Sequence, residues 1–294
     1  MRLYTCKRAP DGAEELFVGA AGKTGVYPLS AFGLAFPDMT ALIRSITPAQ
    51  LETLKTPPAG AEEIPLSGLK ICAPIPRPAQ DVLCLGINYR AHKAEAERFN
   101  QESFGDRPRA IYFSKRVNHA PGDGDTIPRY KELVDSLDYE NELGVIIGRD
   151  AWQVREEDAA DYIFGYTIVN DVSARNLQTG HKQWYFGKSL DGYTPMGPCI
   201  VTADEIAYPP ALAVRTTVNG EKRQDGNTSQ FITNIAQVIA ELTQGMTLQA
   251  GTIIATGTPA GVGMGMQPPC FLESGDVVVC EIEGIGTLTN TVGS

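Results

Sequence analysis

The stretch that most restricts the fold is Asp138-Tyr139-Glu140-Asn141-Glu142-Leu143-Gly144-Val145-Ile146-Ile147-Gly148. Acidic residues lead straight into an apolar run. Side chains alternate faces along a strand, so Asp138, Glu140 and Glu142 are expected on one face. Leu143 to Ile147 is apolar throughout, which predicts burial on both faces. Carboxylates leading into such a strand repel one another and resist desolvation, so they need a cation or some must be protonated. A second apolar strand, Tyr166 to Val169, delivers Asp171 at its end. Two glutamates and one aspartate are hard oxygen donors that suit Mg²⁺ or Mn²⁺. The same spacing also suits a solvated strand end with Asp171 capping the next helix.

Composition excludes several classes of function. The chain of 294 residues is long enough for one large domain, or a large and a small one. A net charge of −10 argues against nucleic acid and anionic membrane as partners. No apolar run approaches the roughly 20 residues that span a bilayer, and Met1 to Arg8 lacks the apolar core of a signal peptide. The six cysteines are scattered, mostly in apolar contexts, with no Cys-x-x-Cys. That pattern predicts buried thiols and a cytoplasmic location. Only His92, His119 and His181 are present, too few for a His-rich zinc site.

In chain order, residues 1–72 form a small N-terminal domain, with a strand at Leu16–Gly19 and a helix over Asp38–Leu54. Residues 73–80 are a proline-rich connector. A larger second domain is placed at 81–294. Asp81–Gly86 reads as a strand, Ile87-Asn88-Tyr89 as the turn out of it, and Arg90–Phe99 as a helix. His92 and Glu95 share one face of that helix, where the carboxylate can hold one imidazole nitrogen and leave the other as a base. A charge-laced surface helix fits the same residues. Asn100–Pro108 is a polar loop, and Ala110–Lys115 another strand. Glu156–Tyr162 is expected helical.

Beyond Asp171 the chain is expected to turn helical, with Asp171, Arg175 and Gln178 on one face. That would bring a guanidinium and an amide beside the acidic cluster. Phe186–Pro198 reads as a Gly/Pro-rich loop carrying Lys188. Asn219-Gly220 predicts a hairpin turn, Ile232–Thr243 an amphipathic helix, and Ile253–Thr256 a buried strand. The turn Gly257-Thr258-Pro259-Ala260-Gly261-Val262-Gly263 lacks the ending of a phosphate loop but lets backbone N–H groups approach closely. Two further strands close the chain.

Taken together, these motifs resemble those of the fumarylacetoacetate hydrolase family. Gly86-Ile87-Asn88-Tyr89-Arg90-Ala91-His92 with Glu95 is similar to its Gly-x-Asn-Tyr-x-x-His-x-x-Glu entry sequence. Glu140-Asn141-Glu142 resembles its Glu-x-Glu strand, and Asp171-Val172-Ser173-Ala174-Arg175-Asn176-Leu177-Gln178 its Asp-x-(Ser/Thr)-x-Arg-x-x-Gln motif. Gly187-Lys188-Ser189 with Pro195-Met196-Gly197-Pro198 resembles its Lys loop, and Thr256–Gly263 its Gly-rich turn. Lys115-Arg116 departs from the Lys-Pro common after this strand. Asp138 matches no ligand of the family and is expected in an outer position.

The resemblance implies an α+β, mostly β fold: a mixed β-roll/β-sandwich catalytic domain with a small N-terminal domain, usually a homodimer. It implies Mg²⁺ or Mn²⁺ held by Glu140, Glu142 and Asp171, and a small-molecule 2-oxo acid substrate. His92, Glu95 and Lys188 would be catalytic, and Arg175, Gln178 and Thr258 would bind substrate. The expected reaction is hydrolysis of a C–C bond in a β-diketo acid, of acylpyruvate or fumarylpyruvate type, through an enolate. The alternative is isomerisation, tautomerisation or decarboxylation of 2-oxo acids by the same enolate chemistry. A non-catalytic protein braced by its cation is a third reading, against which the His92–Glu95 pair and Lys188 argue.

Overall fold

In the computed structural model, Asn141–Ile147 is a central strand of an 11-stranded sheet, and all seven of its residues are buried. The structure describes residues 1–8, 12–19, 25–100 and 109–294, without the side chains of 96–100. The loop expected at Asn100–Pro108 lies, but for its first residue, outside the described residues. Strand Asn141–Ile147 runs antiparallel between Ile163–Asn170 and Ile253–Ala255. The pleat divides its apolar side chains between two cores. Leu143, Val145 and Ile147 pack into one, and Ile146 into the other. Burial on both faces, as read from the apolar run, is what the sheet imposes.

Beyond Ile253–Ala255 the sheet continues with Val82–Gly86, its one parallel neighbour, and then Ile111–Lys115. In the other direction come Met196–Thr202 and then Arg2–Lys7, Glu15–Gly19, Gly25–Pro28 and Ile64–Pro65. The strands of the first 72 residues therefore share one sheet with six of those after residue 81. Helix Met39–Ser45 buries Met39, Leu42 and Ile43 against one face of that sheet. A five-stranded sheet, containing Ala213–Val218, Glu221–Asn227, Val277–Ile282 and Gly286–Val292, closes the other face. Strand exceeds helix, 33% against 22%, so the architecture is mostly β, as expected. The described cysteines are all unpaired, and five of the six are buried. No helix among the described residues is long and apolar enough to cross a membrane.

Several local expectations are corrected by identifiable physics. The helix expected over Asp38–Leu54 is two helices, Met39–Ser45 and Pro48–Thr53. Pro48 bars Thr47 from helical backbone, and Thr47 instead caps the second helix in a reciprocal box with Gln50. Asp171 does not share a helix with Arg175. The helix is Arg175–Gly180 with Ala174 as its N-cap, and Ser173–Ala174 is extended against Leu137–Asp138. The Asp171 N–H donates to the Glu140 carbonyl (2.8 Å) and the Arg175 N–H to the Ser136 carbonyl (2.9 Å). This pairing holds the segment extended until Arg175. Lys188 ends a short helix, Tyr185–Lys188, rather than sitting in open loop. Asn219 and Gly220 both adopt positive φ, 53° and 81°, as the hairpin reading requires.

Candidate active site

The glycine-rich turn after strand Ile253–Ala255 acts as a scaffold for carboxylates. Gly257, with φ 92°, donates its N–H to Glu142 Oε2 (2.7 Å). Gly261, with φ 107°, donates to the Glu95 carboxylate (3.1 Å to Oε1). The Gly263 and Met264 N–H groups donate to the two oxygens of Asp138, at 2.7 and 2.9 Å. Positive φ is what aims the first two amides, and glycine adopts it without strain. The turn was expected to approach a ligand. Its amides instead fix three acidic side chains, one each from a helix, the central strand and the approach to that strand.

At Gly261 the fit leaves no alternative residue. A Cβ there would lie 2.0 Å from the Arg223 carbonyl oxygen. Gly261→Ala is expected to destabilise the protein by about 2 kcal/mol or more, through the clash and the disallowed φ together. Thermal denaturation is the measurement that checks it. Turnover should fall as well, because the shift that relieves the clash moves the N–H from which Glu95 accepts.

Glu140, Glu142 and Asp171 converge. Each is buried and offers a carboxylate oxygen within 4.8 Å of the others. Three cations surround them. Lys188 Nζ bridges Glu140 Oε2 and Asp171 Oδ2, at 2.8 Å each. Lys115, fully buried, pairs with Asp171 Oδ1 and donates to the Val172 carbonyl (3.0 Å). Arg175 reaches Glu140 Oε1 (2.7 Å) and, with a second face of its guanidinium, Asp138 Oδ2 (2.9 Å). Among the described residues Glu142 alone of the three has no cationic partner.

The protonation of these groups follows from that imbalance. Burial, then the charges of Asp171 and Glu140, push Glu142 well above the usual carboxylate range. Burial would raise Glu140 too, but Lys188 and Arg175 outweigh it and hold its carboxyl below that range. Lys188 is disfavoured by burial, yet Asp171 and Glu140 overcome this and raise its pKa. Burial dominates at Lys115 and lowers it. Four buried acids, Asp138, Glu140, Glu142 and Asp171, thus face three buried bases. The residues fit a divalent cation: three hard oxygen donors converge, and one of them lacks a counter-charge.

His92 lies on the same cavity as Glu140, Glu142 and Lys188. Its Nδ1 is 2.9 Å from Glu95 Oε2, as the helical spacing predicted. An ionised Glu95 keeps the proton on Nδ1 and leaves Nε2 as the base. Helix Arg90–Asn100 is seated on the glycine turn by Glu95, whose carboxylate occupies the space a Cβ on Gly265 would fill. Arg175, Gln178 and Thr258 also line the cavity. Arg175 engages protein carboxylates and Gln178 Oε1 (2.9 Å). With that oxygen held, Gln178 has its amide N–H groups to offer. Thr258 Oγ1 donates to the Asn141 carbonyl (3.0 Å) and accepts from Gln224 Nε2 (2.7 Å).

Three participants escape a reading by motif. Lys115 follows no Lys-Pro pair, yet the strand Ile111–Lys115 delivers it to Asp171. Asp138 anchors Arg175 and the glycine turn rather than joining the triad. Gln224, buried in the hairpin of the second sheet, holds Thr258 and accepts the Asn141 N–H (3.2 Å). Of the three, only Asp138 was expected near the site, in an outer position; Lys115 ends a half-buried strand, where a lysine is ordinarily solvated.

Comparison with known proteins adds the lineage. The family profile described as "Fumarylacetoacetate (FAA) hydrolase C-terminal" matches residues 81–293. The chain is 47% identical over 228 residues to oxaloacetate tautomerase YisK of Bacillus subtilis, covering 78% of this chain and 74% of that one. Among solved structures, a fumarylacetoacetate hydrolase from Exiguobacterium antarcticum superposes with a TM-score of 0.82 at 36% identity, covering 100% of this chain and 99% of its own. Maleylpyruvate hydrolase from Sphingobium sp. SYK-6, in complex with manganese(II) and pyruvate, superposes with a TM-score of 0.77 at 28% identity, again over 100% and 99%. By its sequence motifs, its fold and these relatives, the chain belongs to the fumarylacetoacetate hydrolase family.

Proposed function

We propose that this protein is a keto–enol tautomerase of small 2-oxo acids of the oxaloacetate type. The observation that carries the reading is the size of the cavity where His92, Glu140, Glu142 and Lys188 meet, about 70 Å³. A water needs roughly 10–15 Å³ on this measure, so there is space for about five waters, the scale of a small acid without a long tail. The 47% identical relative, named as an oxaloacetate tautomerase, supports the same reading.

Tautomerisation moves one proton between C3 and the C2 oxygen. His92 Nε2, with Nδ1 held by Glu95, takes the C3 proton of the keto form, that proton passes to the C2 oxygen to complete the enol, and in the reverse direction the enol O–H proton is carried back to C3. Charge then builds on the C2 oxygen, and Lys188, kept protonated by Glu140 and Asp171, stabilises it. Gln178 donates to the C1 carboxylate. Mg²⁺ or Mn²⁺ on Glu140, Glu142 and Asp171 would supply Lewis-acid stabilisation of the same oxygen. Helix Arg90–Asn100, seated by Glu95, keeps bulk water from the base.

The second reading is hydrolysis of an acylpyruvate. It is favoured by the His92–Glu95 pair, which equally suits removal of a proton from water, and by likeness to the maleylpyruvate hydrolase. The two differ in products. In an ultraviolet assay, the protein with Mg²⁺ or Mn²⁺ should speed the decay of oxaloacetate enol well beyond the buffer rate and release no pyruvate. Buffer-rate decay of the enol, alongside rapid release of pyruvate and a carboxylic acid from acetylpyruvate, would overturn the tautomerase reading in favour of hydrolysis.

A further inference from the structure

The catalytic cavity has a much larger neighbour. A groove of about 640 Å³ lies beside it, with Lys93, Arg109, Gln237 and Gln244 among its lining residues. Pockets for drug-sized ligands are roughly 300–1,000 Å³, so the groove is in that range and the catalytic cavity far below it. Two residues line both spaces, Gly86 and Ile87. Gly86 has no side chain. Ile87 is therefore the one residue bearing a side chain that lines both, among the described residues.

Ile87 is held there in an unusual conformation. Its φ is 56°, in the left-handed region, where a β-branched residue is a genuine outlier. The turn is pinned on both sides. Asn88 Nδ2 donates to the carbonyls of Thr256 (2.8 Å) and Thr233 (3.0 Å), and Asn88 Oδ1 accepts from the Thr233 N–H (2.8 Å). On the other side Trp184 is pressed on Gly86, where a Cβ would lie 2.4 Å from its ring. Such strain persists where surrounding structure over-determines it, and it concentrates at functional sites. A glycine would satisfy the same backbone without strain, so what the isoleucine adds at this position is its side chain.

We propose that Ile87 is the specificity wall of this active site. Its side chain closes the catalytic cavity off from the groove and confines the enzyme to short 2-oxo acids. This rests on the reading of the site as one that enolises 2-oxo acids. Without the wall, the groove would take the acyl tail of a longer acylpyruvate.

The test uses two variants of the full chain with added Mn²⁺. Ile87→Gly removes both the wall and the strain. Ile87→Ala removes the wall and keeps the strained φ. Ultraviolet loss of the enol band gives kcat/KM for oxaloacetate, isothermal calorimetry gives the affinities for acetylpyruvate and heptanoylpyruvate, and circular dichroism checks the folding. Removing several methyl and methylene groups from a pocket wall is expected to shift the preference for the long over the short substrate by about tenfold to a hundredfold. Both variants should shift it in the same direction, and the wild type should disfavour heptanoylpyruvate.

The proposal is overturned if the wild type already takes heptanoylpyruvate as readily as acetylpyruvate. It is also overturned if folded Ile87→Ala keeps the wild-type ratio, including the case in which Ile87→Gly alone changes it. Failure of the tautomerase reading looks different. The wild type would then leave oxaloacetate at its buffer rate, while the acetylpyruvate-to-heptanoylpyruvate ratio would still report on the wall.

Discussion

Stripping divalent metal from the protein with a chelator is expected to lower turnover of oxaloacetate enol by about three orders of magnitude or more. Lewis-acid stabilisation of a developing negative oxygen is worth several kcal/mol, and each ~1.4 kcal/mol is tenfold in rate. Adding back Mg²⁺ or Mn²⁺ should restore the activity. The reason lies in the charges that the fold has buried. Glu142 has no cationic partner among the described residues, and burial with two neighbouring acids makes its ionised form unfavourable. A divalent ion relieves that repulsion and is bound by it. Metal should therefore also raise the melting temperature. At a hundred times Kd the stabilisation is about 2.7 kcal/mol, which for a chain of this size is a rise of several degrees.

Glu142→Gln tests both effects of the metal at once. The amide keeps the shape and can still accept the Gly257 N–H, but the site loses one negative donor. Both the thermal shift on adding Mn²⁺ and the turnover should fall together. Full activity in verified metal-free protein would refute the role given to the triad. A thermal shift with no turnover of any 2-oxo acid would instead point to a cation that only braces the strands.

The parts of this architecture that sequence reveals are those with short-range signals. Glu140 and Glu142 are two apart before an apolar run, and Asp171 ends another, so their convergence follows from pairing two buried strands. His92 and Glu95 are three apart on a helix, and the contact follows directly. Hidden from sequence are the interactions whose partner is a backbone atom or a distant strand. No letter marks that the N–H groups of Gly257, Gly261 and Gly263 are aimed at Glu142, Glu95 and Asp138. Strand Met196–Thr202 begins in Met-Gly-Pro, which reads as loop because proline cannot donate to a ladder. It nonetheless pairs with Arg2–Lys7, which merges the N-terminal strands into the central sheet. Pairing across almost 200 residues leaves no local trace. Lys115 illustrates the limit at the site itself, since a lysine at a strand end is ordinarily solvated and only the assembled sheet buries it beside Asp171.

Replacing His92 by alanine is expected to lower kcat about 10²–10⁴-fold, the usual contribution of a positioned general base. The substitution removes the one imidazole in the cavity and leaves the triad, its cations and the metal site in place. Metal-induced thermal stabilisation should therefore survive in His92→Ala while turnover collapses. Solvent deuterium gives the sharper reading. Wild-type protein should catalyse exchange of the C3 hydrogens of oxaloacetate with D₂O, followed by NMR, and His92→Ala should lose that exchange in parallel with turnover. Glu95→Gln acts one step removed, because it leaves the imidazole but weakens its hold on Nδ1. A positioning partner of this kind contributes about 10–100-fold, so its kcat should fall between those of the wild type and His92→Ala. If His92→Ala kept wild-type exchange at C3, the proton would have to be carried by another group. Lys188, 2.8 Å from both Glu140 and Asp171, would be the next to test, and the base assignment would move from the helix to the floor of the site.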